Sequence, residues 1–114
     1  MATHVVPRGA MLDAWADADW SNGIQIDKME ELETLAIRTM NSIYEITILD
    51  GRRGDVLVRG GKFFPTWTPT HMAGCTFGGS ILKMRGIYVG MKIEFNHRRR
   101  RITTSPVQTI GIVI

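Results

Sequence analysis

Ile43-Tyr44-Glu45-Ile46-Thr47-Ile48-Leu49, Asp50-Gly51-Arg52-Arg53-Gly54-Asp55 and Val56-Leu57-Val58-Arg59 follow one another without a break, and their reading decides the fold class. The first and third segments are rich in β-branched and aromatic residues, which suit a pleated, half-buried surface. The second is punctuated by glycine and aspartate, the chemistry of a hairpin loop. Together they predict two antiparallel strands with Arg52 and Arg53 at the tip. Gly60-Gly61 stops the second strand.

Upstream, Ile24 and Ile26 alternate with Gln25 and Asp27, as in a short strand. Asp27-Lys28-Met29-Glu30 has the form of a helix-capping box, an acceptor followed three residues later by glutamate. A helical turn over 27–32 and a strand over 34–40 are expected, although Met29, Leu32, Leu35 and Ala36 also fit helical spacing.

Downstream, residues 60–86 read as the least regular part, with Phe63-Phe64-Pro65, Trp67, Pro69, His71 and Gly78-Gly79-Ser80. An irregular segment of this length in a small domain implies a function, such as covering a barrel mouth or a subunit interface. Ile81–Arg85 opens a strand, and 87–95 reads as another in which Gly90 marks a bulge or barrel corner. Asn96-His97-Arg98-Arg99-Arg100 is a second hairpin tip, from which 101–105 returns to Pro106, a residue suited to an edge or bulge. The chain ends on Val107, Ile110, Ile112, Val113 and Ile114, an apolar run that packs on the body or on a neighbour.

The expected fold is mainly β: a small, partly open β-barrel or sandwich of about five or six antiparallel strands with a short helical turn. A flexible acidic arm at 1–22 precedes a single β-domain at 23–114. The length of 114 residues fits one domain with one modest core. No apolar run is long enough to span a bilayer, and no secretion signal is apparent at the N-terminus. The single cysteine, Cys75, excludes an intramolecular disulfide and fits a reducing cytoplasm. It reads as a buried small hydrophobe.

Charge is divided along the chain. Residues 1–51 carry three basic and nine acidic side chains, a net of −6. Residues 52–114 carry eleven basic and two acidic ones, a net of +9. A basic surface of that density meets an external anion or the acidic half of its own or a neighbouring chain. Arg98, Arg99, Arg100 and Arg101, with His97, form the densest group of donors for phosphate oxygens. If they and Arg52 and Arg53 faced one way, they would make the footprint of a nucleic-acid binder. The aromatic residues, however, are not interleaved with the basic ones as in stacking platforms. Gly78-Gly79-Ser80 with Lys83 and Arg85 has the composition of an anion nest, and equally of a turn that needs positive φ.

His4, His71 and His97 have no metal-like spacing to one another or to Cys75, so no metal or cofactor is expected. No catalytic constellation is visible, and a non-enzymatic role follows.

Thr39–Ile46, Gly60–Pro65 and Thr103–Ile110 resemble stretches of small bacterial proteins usually described as hypothetical. The resemblance covers most of the body but not 1–22. It implies a bacterial cytoplasmic β-domain and carries no activity, so no functional residue is transferred.

The reading that unites these features is a binding or self-assembly module, a homo-oligomer. In it the acidic arm, with Trp15 and Trp20, docks on a basic surface covered by Phe63, Phe64 and Trp67. A nucleic-acid-binding module that uses the two basic tips is the alternative. A small-molecule site in the barrel mouth, at Phe63, Phe64, Trp67 and Tyr88, is a third.

Overall fold

The structure, a computed structural model, describes residues 21–78 and 81–113. It is mainly β. The strands are β1 (Gly23–Gln25), β2 (Thr34–Thr39), β3 (Ile43–Asp50), β4 (Asp55–Gly60), β5 (Phe64–Gly78), β6 (Ile81–Met84), β7 (Gly86–Tyr88), β8 (Lys92–His97) and β9 (Arg100–Val113). The anticipated β3–β4 hairpin is present, with Ile46 opposite Val58 and Ile48 opposite Val56.

Hydrogen bonding runs from β4 through β3, β2, β9, β8 and β5, and β5 returns to β4. Six strands therefore close a ring. The expected small β-barrel is present, and the β4–β5 ladder, which pairs Val58 with Thr68 and Val56 with Thr70, completes its ring of hydrogen bonds. Closure removes most of the exposed edge that an open sheet would leave. β6 adds to the outer part of β5, and β1 pairs with β7 in a separate two-stranded sheet.

Alternation explains the core. Leu35 and Ile37 of β2, Tyr44, Ile46 and Ile48 of β3, Val56 and Val58 of β4, and Ile93 and Phe95 of β8 all point inward. Period-two burial is what a strand with one wet face dictates. Phe64 and Phe95 meet edge to face at 5.4 Å in the interior, and each such ring contributes about 1.5–3 kcal/mol through burial. Ile26, just after β1, and Ile87 of β7 join this core. Cys75 of β5, Tyr88 of β7 and Met91 form a second cluster.

The helical turn shrinks to a 3-10 turn at Ile26–Lys28. Glu30 makes no reciprocal cap; its N–H donates to the Glu33 carboxylate instead. The expected strand over 87–95 is broken into β7, a turn and β8, with Gly90 at φ 91 in the turn.

The larger correction concerns 60–86, which is mostly strand. β5 is 15 residues long because its halves serve different neighbours. Phe64–His71 pairs with β4, whereas His71–Thr76 pairs with β8. Pro65 and Pro69 lie where β8 does not accompany β5, as a residue without an N–H requires. Gly74 is needed where β6 crosses, since a Cβ there would collide with the Lys83 carbonyl. Among the described residues, no helix is long and apolar enough to cross a membrane.

Candidate functional site

β4 sets the geometry. The acidic turn region and the Arg52-Arg53 tip lie before its start, and Arg59, Lys62 and Phe63 lie at and beyond its end. The two ends of this strand have opposite electrostatic character.

At the first end, Arg52 and Arg53 are surrounded by carboxylates. Asp27, Glu31 and Asp50 line an open recess of about 500 Å³ with Lys28 and Arg52. Arg53 lies 3.5 Å from Asp55, and its N–H donates to the Asp50 side chain. Arg85 is committed to structure. Its Nε donates to the Arg52 carbonyl at 3.1 Å, and its Nη1 donates to the carbonyls of Met72 and Ala73. An anion nest built on Arg85 therefore loses its guanidinium to the backbone. Gly79 and Ser80 lie outside the described residues.

At the other end, the register of β3, β4 and β5 lines up an outer-face ladder. Glu45 is opposite Arg59 on β4, and pairing of Val58 with Thr68 puts Arg59 beside Trp67 on β5. Arg59 donates to Glu45 at 2.7 Å, and its guanidinium lies 4.7 Å from the centre of the Trp67 ring. The ion pair is half exposed and contributes less than about 1 kcal/mol; its effect is to hold the guanidinium on the indole. Phe63, in the β4–β5 turn, is 44% exposed. Lys62 Nζ approaches its ring to 5.3 Å and the Arg100 guanidinium to 5.8 Å. Basic and aromatic side chains are thus interleaved after all, through contacts between strands and across a turn.

The β8–β9 hairpin reaches the same end. His97 pairs with Arg100, so the loop is only Arg98 and Arg99. Both adopt left-handed backbone, at φ 50 and φ 64. That is the two-residue turn for which Asn-Gly is the favoured sequence, and side chains with a Cβ are disfavoured there by about 1–2 kcal/mol per residue. Arg98, Arg99, Arg100 and Arg101 are all exposed.

Beside the β4–β5 turn lies an open recess of about 210 Å³, which Asn41 and residues 103–105 of β9 also line. Lys62 and Phe63 line one side, and the hydroxyl groups of Ser42, Tyr44, Thr103 and Ser105 supply polar contacts. Burial pushes the Tyr44 hydroxyl above its usual pKa, so it stays a neutral donor. Ser105 is fixed by hydrogen bonds to Thr39 and to the Asn41 N–H.

The structure does not bring the two arginine tips together. Arg52 and Arg53 belong to the acidic end, Arg98–Arg101 to the basic one. Phe64, expected as a surface contact, is fully buried in the core. Tyr88 is also buried, beside Gly23 on the β1–β7 sheet, so of the four residues expected at a small-molecule site in the barrel mouth only Phe63 and Trp67 are exposed. His97 sits at the basic end with its ring 6.1 Å from that of Phe64. Trp15 and Trp20 lie outside the described residues. Arg59 and Lys62, absent from the sequence reading of the site, join it. The alternation of Arg59 with Val58 and the Gly60-Gly61 turn before Lys62 were the available signals.

Cys75 is buried, and burial pushes its thiol up to about 12, so the nucleophilic thiolate is suppressed. Among the described residues, no three His, Cys, Asp or Glu side chains converge as a metal site.

No family model matches this chain, and no curated protein or solved structure matches it.

Proposed function

We propose that the protein is a binding module that takes single-stranded nucleic acid at the basic–aromatic end of its barrel. One observation carries the reading: Phe63 and Trp67 are exposed beside Lys62, Arg59 and Arg100 at the end that also presents Arg98–Arg101. Exposed rings offer stacking faces to unpaired bases, and the neighbouring cations neutralise the phosphates between them. Guanidinium planes are themselves stacking partners for bases. Ser42 and Thr103 offer hydroxyl groups to sugar or phosphate oxygens in the adjoining recess.

Backbone strain supports the same reading. Two arginines occupy left-handed positions that asparagine and glycine fill more cheaply, and strain of this kind concentrates at functional sites. The carboxylates at the opposite end repel a polyanion and restrict it to one end of the barrel.

The test is fluorescence anisotropy of labelled random oligonucleotides, single-stranded and duplex, titrated with the full chain over a range of salt. Single strands are expected to bind more tightly, with affinity falling as salt rises. Four to six phosphate contacts give a log–log slope of about −3 to −4. Phe63→Ala and Trp67→Ala each remove roughly 1–3 kcal/mol of stacking. Absence of binding at low salt overturns the proposal, as does binding indifferent to both alanine substitutions.

A second reading rests on charge. The acidic segment Asp13–Trp20 complements the same end, and its docking there would drive assembly. Deletion of residues 1–20 then tightens oligonucleotide binding, whereas it leaves binding unchanged if nucleic acid is the sole occupant.

A further inference from the structure

The second half of β9 is hydrogen-bonded on one side. β2 accompanies it there, from Thr39 opposite Val107 to Thr34 opposite Val113. On the other side β8 stops at Pro106. Val107 closes that side through backbone bonds, its N–H donating to the Met91 carbonyl and its carbonyl accepting from the Gly90 N–H, both at 2.8 Å. Beyond Val107, among the described residues, no strand pairs with the outer edge of Gln108–Val113.

Apart from a register shift at its start, between Val107 and Thr109, that edge lacks the usual protections. Native edges are blunted by charge, proline, bulges or shortness. β5 has Pro65 and Pro69 where β8 leaves it, and β6 is short and carries Lys83. From Val107 to Val113 there is neither a charged residue nor a proline. Ile112 is 58% exposed and Val113 is 49% exposed. At Gly111 the sheet face is bare, since an added Cβ would meet only the Ala36 carbonyl among the described residues, at 3.8 Å.

We infer that this edge is the interface with a second copy of the chain, the two β9 strands pairing antiparallel about a two-fold axis through Gly111. A two-fold interface sets each surface against itself. The acidic recess at one end of the barrel and the arginines at the other would each repel themselves across such an axis; an uncharged edge does not. The register is self-complementary. Gly111 faces its own symmetry mate, and Ile110 of each chain lies opposite Ile112 of the other on one face. Paired apolar side chains are what stabilise such a ladder. The six-stranded rings would then be joined through one continuous sheet. The inference is independent of nucleic-acid binding.

Sedimentation equilibrium of the full chain tests it, with a mass of twice 12.8 kDa expected. Gly111→Asp sets like charges face to face across the axis, and Ile112→Lys replaces the apolar pair. Each is expected to raise the dissociation constant roughly tenfold or more, with circular dichroism confirming that the fold is kept. Amide exchange of residues 109–113 is expected to slow as concentration rises. A mass of 12.8 kDa at every concentration overturns the inference. So does a dimer that survives both substitutions with exchange at 109–113 independent of concentration.

Discussion

Replacing Arg98-Arg99 by Asn-Gly is expected to make the protein more stable and a poorer partner for polyanions in the same step. Both arginines hold positive φ in a two-residue loop, and each loses about 1–2 kcal/mol to contact between its Cβ and the backbone. Asparagine tolerates the conformation and glycine carries no such penalty. The added freedom of glycine in the unfolded chain takes back about 0.5–1 kcal/mol. A net gain of about 1–2 kcal/mol remains, or roughly 4–8 °C in Tm for a domain of this size. The substitution also lowers the net charge from +3 to +1. With two phosphate contacts gone, the salt slope for single-stranded ligand shrinks by about 1.4. Thermal melts and urea titrations read the first effect, and anisotropy across salt reads the second. A variant less stable than its parent would show that the turn is not strained. A stabilised variant that binds as before would remove the arginine tip from the site.

Other substitutions separate scaffold from surface. Arg85→Ala removes donors to three carbonyls and is expected to cost about 2–3 kcal/mol, read as a lower urea midpoint at unchanged slope; an unchanged midpoint refutes the structural assignment. Phe64→Ala is expected to destabilise by about 3–5 kcal/mol, which chemical denaturation measures; a loss below 1 kcal/mol would be incompatible with a core position. Cys75 gives a pH signature. The folded state holds its thiol proton to about 12, against an ordinary value of 9.0. Its contribution is therefore complete below about pH 9 and falls as pH rises toward 12, by up to about 1.4 kcal/mol per pH unit. Cys75→Ala should flatten that part of an alkaline stability profile, and an unaltered profile would contradict the burial.

The sequence was most legible where each residue answers to its own neighbours in the chain. Ile43–Arg59 alternates, turns on glycine and alternates again, and it folds as that pattern dictates. The tight loop at Arg98-Arg99 follows from two flanking β-runs. Phe64–Gly78 was illegible because Pro65, Pro69 and Gly74 are ordinary signals of a loop. In β5 they mark a missing neighbour and a close crossing of β6, which only the closed ring reveals. The basic–aromatic stacks were hidden for a related reason. Arg59 meets Trp67, and Arg100 meets Phe63, only once β4 has paired with β5 and the β8–β9 turn has folded toward them. Charge misled in one respect: both arginine clusters look alike in sequence, yet Asp27, Glu31 and Asp50 surround one and not the other.

Ring closure also governs how the chain reaches this state. The seam between β2 and β9 joins Thr34 to Val113, so the ring cannot be sealed during synthesis until β9 has left the ribosome. Until then β2 presents one bare edge, and the inward faces of Leu35 and Ile37 lack part of their cover. Pairings so distant in sequence slow folding, because the entropy of closing the loop is lost before the contacts form. The nascent chain is therefore most vulnerable to mispairing just before β9 arrives, when the strand that completes one barrel can still be taken from another.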